Sequence, residues 1–167
     1  MSAEPFALRV RSLHESWRER REVKALASAH DRTSQFRLLL SLHGWAVEAL
    51  SHVQAVYGPD FPLVIDAPPK ELDSLPGFTV QLGGQALTLS LLQRSRANTR
   101  HWYISVAFSS SDPAGTGHIA TDRRNGHWNR GRMQELLLTL LRGYERSIGA
   151  AVEQAGLSPR PEARNEA

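Results

Sequence analysis

The chain has 167 residues, of which 41% are hydrophobic and 22% charged, as expected of one soluble domain with a buried core. It contains no cysteine, which excludes disulfides, thiolate metal sites and cysteine nucleophiles. No apolar run approaches the roughly 18 residues of a membrane span, and the N-terminus lacks the apolar stretch of a signal peptide, so we expect a cytoplasmic protein without membrane contact.

The net charge of +3 is distributed unevenly along the chain. Residues 94–132 hold seven arginines and two aspartates, a net charge of +5, whereas residues 58–93 hold one lysine and four carboxylates, a net charge of −3. This asymmetry makes the basic segment the part of the chain to test for an anionic partner.

Helical periodicity dominates the first third of the chain. Ser12 and Glu15 have the spacing of a capping box, which predicts a first helix from Ser12 to about Ala29. A second helix is predicted to begin after Asp31 and to reach Tyr57, where a Gly-Pro pair ends it. One long bent helix is the alternative.

Residues 58–77 contain five prolines and predict an irregular connection, and beyond them the apolar period changes to two. Gly83-Gly84 predicts a tight hairpin between two strands. The basic stretch RSRANTR (94–100) and the stretch SSSDPAGTG (109–117) are predicted to be loops. Three strands are predicted for the meander, at 78–82, 87–91 and 102–108. Residues 118–124 are a candidate for a fourth strand that turns at Asn125-Gly126, and residues 63–66 are a candidate for a short additional strand.

Asn129 is a favourable N-cap for a last helix, whose apolar positions run from Met133 to Val152. The predicted fold class is α+β, with an antiparallel three- to four-stranded β-meander, two N-terminal helices and one long C-terminal helix packed on one face. Residues 1–155 form the predicted single domain, and residues 156–167 a disordered tail.

The basic segment supplies the candidate site. Arg130 and Arg132 fall in the first turn of the last helix, where the helix dipole disfavours cations and a bound anion would relieve the repulsion. Three rings nearby in the sequence are candidates for stacking on unpaired bases: Trp128, Tyr103 and His101. The alternative is structural: the arginines form a solvated rim, Asn125-Gly126 is a type I′ turn, and Trp128 packs under the last helix. The candidate anion-binding arginines are Arg94, Arg96, Arg100, Arg123, Arg124, Arg130 and Arg132.

No catalytic, cofactor or metal motif accompanies these residues. The seven histidines lack the spacing of metal ligands, and His43, on the apolar side of the second helix, is expected to be a hydrogen-bonded core residue. We therefore expect a non-enzymatic protein without metal or cofactor.

The leading functional hypothesis is a nucleic-acid-binding protein that contacts phosphates of DNA or RNA, in nucleic-acid metabolism or defence. The alternative is a protein-interaction module, a chaperone-like or regulatory adaptor dimer. It would use the amphipathic first helix or the polar face predicted for the sheet, whose residues are Thr79, Gln81, Thr88, Ser90, Tyr103 and Ser105.

Overall fold

The structure is a computed structural model that describes residues 4–97, 99–111, 121–122, 128–154 and 156. Within these residues two helices precede an antiparallel sheet and a third helix follows it, which confirms the predicted α+β fold. The elements are α1 (Glu4–Ser28), α2 (Arg32–Tyr57), β1 (Leu63–Ile65), β2 (Gly77–Leu82), β3 (Gln85–Arg96), β4 (Thr99–Ser110), β5 (Thr121–Asp122) and α3 (Arg130–Gln154).

The two N-terminal helices are separate, and local chemistry explains the break between them. The Asp31 carboxylate accepts a hydrogen bond from the backbone N–H of Ser34 at 3.0 Å, the usual N-cap interaction at the start of α2. The buried Gln35 amide donates to the carbonyls of Leu26 and Ala29, at 3.2 and 2.7 Å, and so satisfies carbonyls at the end of α1.

The first helix begins at Glu4, eight residues before the predicted start at Ser12. The Ser12–Glu15 spacing therefore lies inside a continuous helix and is not a capping box. Pro5 is compatible with this earlier start, because the N–H that proline lacks would have no partner in a first turn.

The sheet is a meander in which every strand pairs with its sequence neighbour, in the order β1-β2-β3-β4-β5. Alternating side chains of β2, β3 and β4 form its inner face, where α2 and α3 pack. The most buried residues of this core are Phe78, Val80, Leu82, Leu87, Leu89, Leu91, Ile104 and Val106 on the sheet and Leu38, Leu39, Leu42, Ala46 and Met133 on the helices.

The opposite face of the sheet is polar, as predicted. Thr79 and Thr88 are paired across β2 and β3 with their hydroxyl oxygens 3.0 Å apart, and Ser90 is paired with Ser105 across β3 and β4. His43, also as predicted, is a buried core residue: its Nε2–H donates to the Asp66 carbonyl at 2.8 Å.

The three central strands, β2, β3 and β4, are longer than predicted, whereas β1 is one residue shorter. β3 continues to Arg96 and β4 begins at Thr99, so the predicted loop at residues 94–100 is wrong, and most of it is the end of a β-hairpin. The chain turns at Ala97, whose φ of 48° is a conformation that glycine usually adopts. Because alanine occupies this position, the sequence contains no glycine that would mark the turn.

Other predictions concern residues that are only partly described. Ser109 and Ser110 belong to β4 and not to a loop, and Thr121 and Asp122 form the two described residues of the candidate fourth strand, paired with β4. The Asn125-Gly126 turn and, apart from Gly156, the tail at residues 156–167 lie outside the described residues.

Candidate nucleic-acid interface

The hairpin of β3 and β4 extends past the rest of the sheet. β2 pairs with β3 only as far as Ser90, whereas β3 and β4 remain paired to the Arg96–Thr99 step. We call residues 92–96 and 99–103 the β-ribbon. At about 3.4 Å per residue its end lies roughly 20 Å beyond the last residue pair of β2.

The β-ribbon carries arginines and no carboxylate. Arg94 and Arg100 are exposed, and neither forms an ion pair with a described residue. The register pairs Arg94 with His101, and it pairs Arg96 with Thr99 at the end of the hairpin. The sequence from residue 91 to residue 111 contains no Asp or Glu, so nothing within the two strands neutralises these charges.

The α1–α2 connection anchors the base of the β-ribbon. The backbone N–H of Trp102 donates to the His30 carbonyl at 2.9 Å, and the His30 and His101 rings meet edge to face with 5.2 Å between centroids. His101 and Tyr103 are half-buried, so part of each ring remains accessible.

Arg32, at the start of α2, also contacts the end of the β-ribbon nearest the sheet. Its guanidinium lies 5.5 Å from the centre of the Trp102 ring and donates to the Glu71 carbonyl at 2.7 Å. Neither Arg32 nor His30 is among the predicted site residues. Arg32 is a cation in the first turn of a helix, as Arg130 is, so the criterion that made Arg130 a candidate also applies to Arg32.

At the start of α3 the arginines have partners within the protein. The Arg130 guanidinium donates to Glu19 of α1 at 2.9 Å and to Glu48 of α2 at 3.3 Å. Arg132 lies over the Trp128 ring, 4.3 Å from its centre. The two carboxylates compensate the charge of Arg130, for which the sequence suggested an external anion. The Trp128 ring attracts the Arg132 guanidinium through a cation–π contact.

Trp128 is a core residue with only 3% of its surface exposed, so it offers no free ring face for stacking on a base. Asn129 caps α3 as predicted: its side-chain oxygen accepts the backbone N–H of Arg132 at 2.7 Å. Trp128 and Asn129 thus form the junction of α3 with the core.

The seven predicted arginines therefore divide into three groups. Arg94, Arg96 and Arg100 lie along the β-ribbon, and Arg130 and Arg132 contact other parts of the protein. Arg123 and Arg124 lie outside the described residues.

The described residues contain no group of three or more acidic or histidine side chains that could hold a metal ion. Among those residues there is also no helix long and apolar enough to cross a membrane. The chain matches no family model, no curated protein and no solved structure.

Proposed function

We propose that this chain is a small non-enzymatic protein that contacts nucleic-acid phosphates through the β-ribbon. The observation that carries the proposal is a projecting two-stranded hairpin with exposed Arg94 and Arg100 and no carboxylate in either strand.

Its shape and chemistry fit a nucleic acid. The major groove of B-DNA, about 12 Å wide, admits a two-stranded β-ribbon, and a guanidinium binds phosphate through two parallel hydrogen bonds. The accessible parts of Tyr103 and His101 lie on the same face of the β-ribbon as Arg94, where an unpaired base would stack on them. Arg130 and Arg132 are not part of this proposed interface, because they already have partners within the protein.

The test is fluorescence polarisation of labelled single- and double-stranded oligonucleotides over a salt series. Each lost phosphate contact on duplex DNA lowers the slope of log K against log salt by about 0.9 in magnitude. The double variant Arg94→Gln, Arg100→Gln should therefore bind more weakly, with a slope smaller by about 1.8 in magnitude because two phosphate contacts are lost.

The matched control is the double variant Arg37→Gln, Arg142→Gln, which removes two exposed arginines from α2 and α3. It has the same net charge as the β-ribbon variant and should bind as the unmodified chain does. Absence of binding at about 50 mM salt, or affinity that does not fall as salt rises, would contradict phosphate contact. Equal losses in the two double variants would show that net charge, and not the β-ribbon, drives association.

A further inference from the structure

The N-terminal part of α1 carries a row of apolar side chains exposed to solvent. Every residue from 5 to 15 is exposed, and the first buried side chain of the helix is Val23. The exposed fractions are 73% for Phe6, 47% for Val10, 66% for Leu13 and 51% for Trp17. This part of α1 therefore lies clear of the core. Trp17 has neighbours on its own helix, with the Arg21 guanidinium 5.3 Å from the centre of its ring and the His14 ring at 6.0 Å, and about half of its surface remains exposed.

The spacing of these four residues is that of a coiled coil. They follow one another at intervals of four, three and four residues, the a/d pattern of a heptad repeat. At 100° per residue they fall within a stripe about 60° wide, narrower than the wide apolar face of a helix that lies in a bilayer surface. Leu8, the other large apolar residue of this part, lies on the opposite side.

We propose that this row, which we call the α1 seam, pairs antiparallel with the α1 seam of a second copy of the chain. The inference is independent of the nucleic-acid proposal. Antiparallel pairing about the midpoint of the row places Phe6 against Trp17 of the second copy, and Val10 against Leu13. Aromatic residues then meet aromatic residues at both ends, and aliphatic residues meet in the middle, so the row is complementary to itself.

The flanking residues also permit this pairing. In an antiparallel coiled coil the residues beside the seam meet as Arg9 with Ser16 of the second copy and Ala7 with His14, so no two arginines oppose each other. Parallel pairing would place Ser16 against Arg21 and bring both folded bodies to the same end of the helix pair. Antiparallel pairing holds the two bodies at opposite ends, where residues 5–15 keep them apart.

Two helical segments of about a dozen residues bury less than the roughly 1,200 Å² at the lower limit of a standard interface. The dimer is therefore reversible. Sedimentation equilibrium of the full chain should show an average mass that rises from 18.6 kDa towards twice that value as concentration increases.

Leu13→Glu should keep the chain monomeric at every concentration, because it places a carboxylate in the middle of the α1 seam. Leu8→Glu is the matched control, since it makes the same change at an exposed leucine on the opposite side of α1 and should dimerise as the unmodified chain does. A mass that stays at 18.6 kDa at high concentration, or equal disruption by both substitutions, would overturn the proposal. Binding of phosphatidylserine vesicles by a monomer, abolished by Leu13→Glu, would overturn it in favour of a membrane surface.

The absence of cysteine makes the orientation directly measurable. Phe6→Cys and Trp17→Cys proteins are oxidised separately and as an equal mixture, then compared on a non-reducing gel. Antiparallel pairing brings the two introduced thiols together only in the mixture, where the second Phe6–Trp17 layer remains intact and holds the helices together. A disulfide dimer from each variant alone would show parallel pairing and overturn the proposed orientation.

Discussion

Arg130 is held by two carboxylates that belong to two different helices, Glu19 of α1 and Glu48 of α2. This arrangement explains how a cation is tolerated at the positive end of α3, where it would otherwise be unfavourable. The sequence shows the misplaced charge but not its partners, which lie 111 and 82 residues away along the chain. The arginine at the start of α3, which suggested a bound anion, is therefore explained by ion pairs within the protein.

The same misfit occurs at Arg32, and there too the protein supplies the partners, in this case the Glu71 carbonyl and the Trp102 ring. A cation at a helix start is thus weak evidence for an anion site in this chain. Exposed arginines on strands without carboxylates are stronger evidence for an anion site, because the fold leaves their charge without an ion pair among the described residues. Arg94 and Arg100 meet that criterion.

Asp31 gives a prediction about pH at the residue scale. Hydrogen bonds from Ser34, through its side chain and its backbone N–H, hold the pKa of Asp31 below its ordinary value of 3.8. A carboxyl whose pKa is depressed by folding stabilises the fold above the unfolded-state pKa, and this contribution is lost as pH falls through the folded-state pKa. The unmodified chain should therefore lose stability in acid relative to Asp31→Asn, which keeps a capping oxygen but does not titrate.

Urea unfolding of both proteins at intervals from about pH 6 to about pH 2 measures the difference in unfolding free energy. The difference should be constant at the higher pH values. As pH falls below 3.8, the unmodified chain should lose stability relative to Asp31→Asn. A difference that stays the same over the whole range would show that Asp31 does not have a depressed pKa in the folded protein.

The β-ribbon is the element that the sequence pattern did not predict. Its residues Arg94, Ser95 and Arg96 continue β3, but they lack the apolar alternation by which half-buried strands are recognised. The turn at Ala97 also lacks glycine, although its φ is 48°. The β2–β3 hairpin, by contrast, was predicted correctly, because one strand face is apolar throughout and Gly83-Gly84 marks its turn.

Gly83 supports a prediction at the element scale. Its φ of 58° is left-handed, and a Cβ at this position would lie 2.7 Å from Cε2 of Tyr144 on α3. Gly83→Ala should lower the unfolding free energy by about 1–2 kcal/mol from the backbone conformation alone, with a further loss from displacing Tyr144.

Gly44, inside α2, is the matched control, because a Cβ added there would have no atom within 4 Å and its φ is not left-handed. Gly44→Ala should raise the unfolding free energy by about 0.5–1 kcal/mol, since alanine loses less backbone entropy in a helix. Urea denaturation measures both changes. Equal effects of the two substitutions would mean that the hairpin turn does not need a left-handed residue.

At the scale of the whole molecule, the period of the apolar residues was sufficient to predict the fold class. A helical period, then a period of two, then a helical period again corresponds to α1, α2, the meander and α3. The placement of the arginines was not predictable in this way, because which groups share a surface depends on strand lengths and helix packing. The exposure of the apolar residues of α1 was not predictable either, because their regular spacing does not show whether the core covers them.

The two proposed surfaces lie on different parts of the molecule, and a truncation separates them. Residues 1–15 contain two glutamates and two arginines, so removing them leaves the net charge unchanged with histidine neutral. Residues 5–15 are all exposed, so their removal uncovers little of the core, and we expect the unfolding free energy to change by no more than about 0.5 kcal/mol.

The truncated chain should bind oligonucleotides with the affinity and salt slope of the full chain, because the β-ribbon and the net charge are retained. It should sediment as a monomer at concentrations where the full chain dimerises, because Phe6, Val10 and Leu13 are gone. A loss of oligonucleotide binding in a truncated chain that still unfolds cooperatively would move the nucleic-acid surface from the β-ribbon to α1. Retained dimerisation would place the contact between copies outside the α1 seam, and a loss of cooperative unfolding would show that residues 1–15 pack against the core in solution.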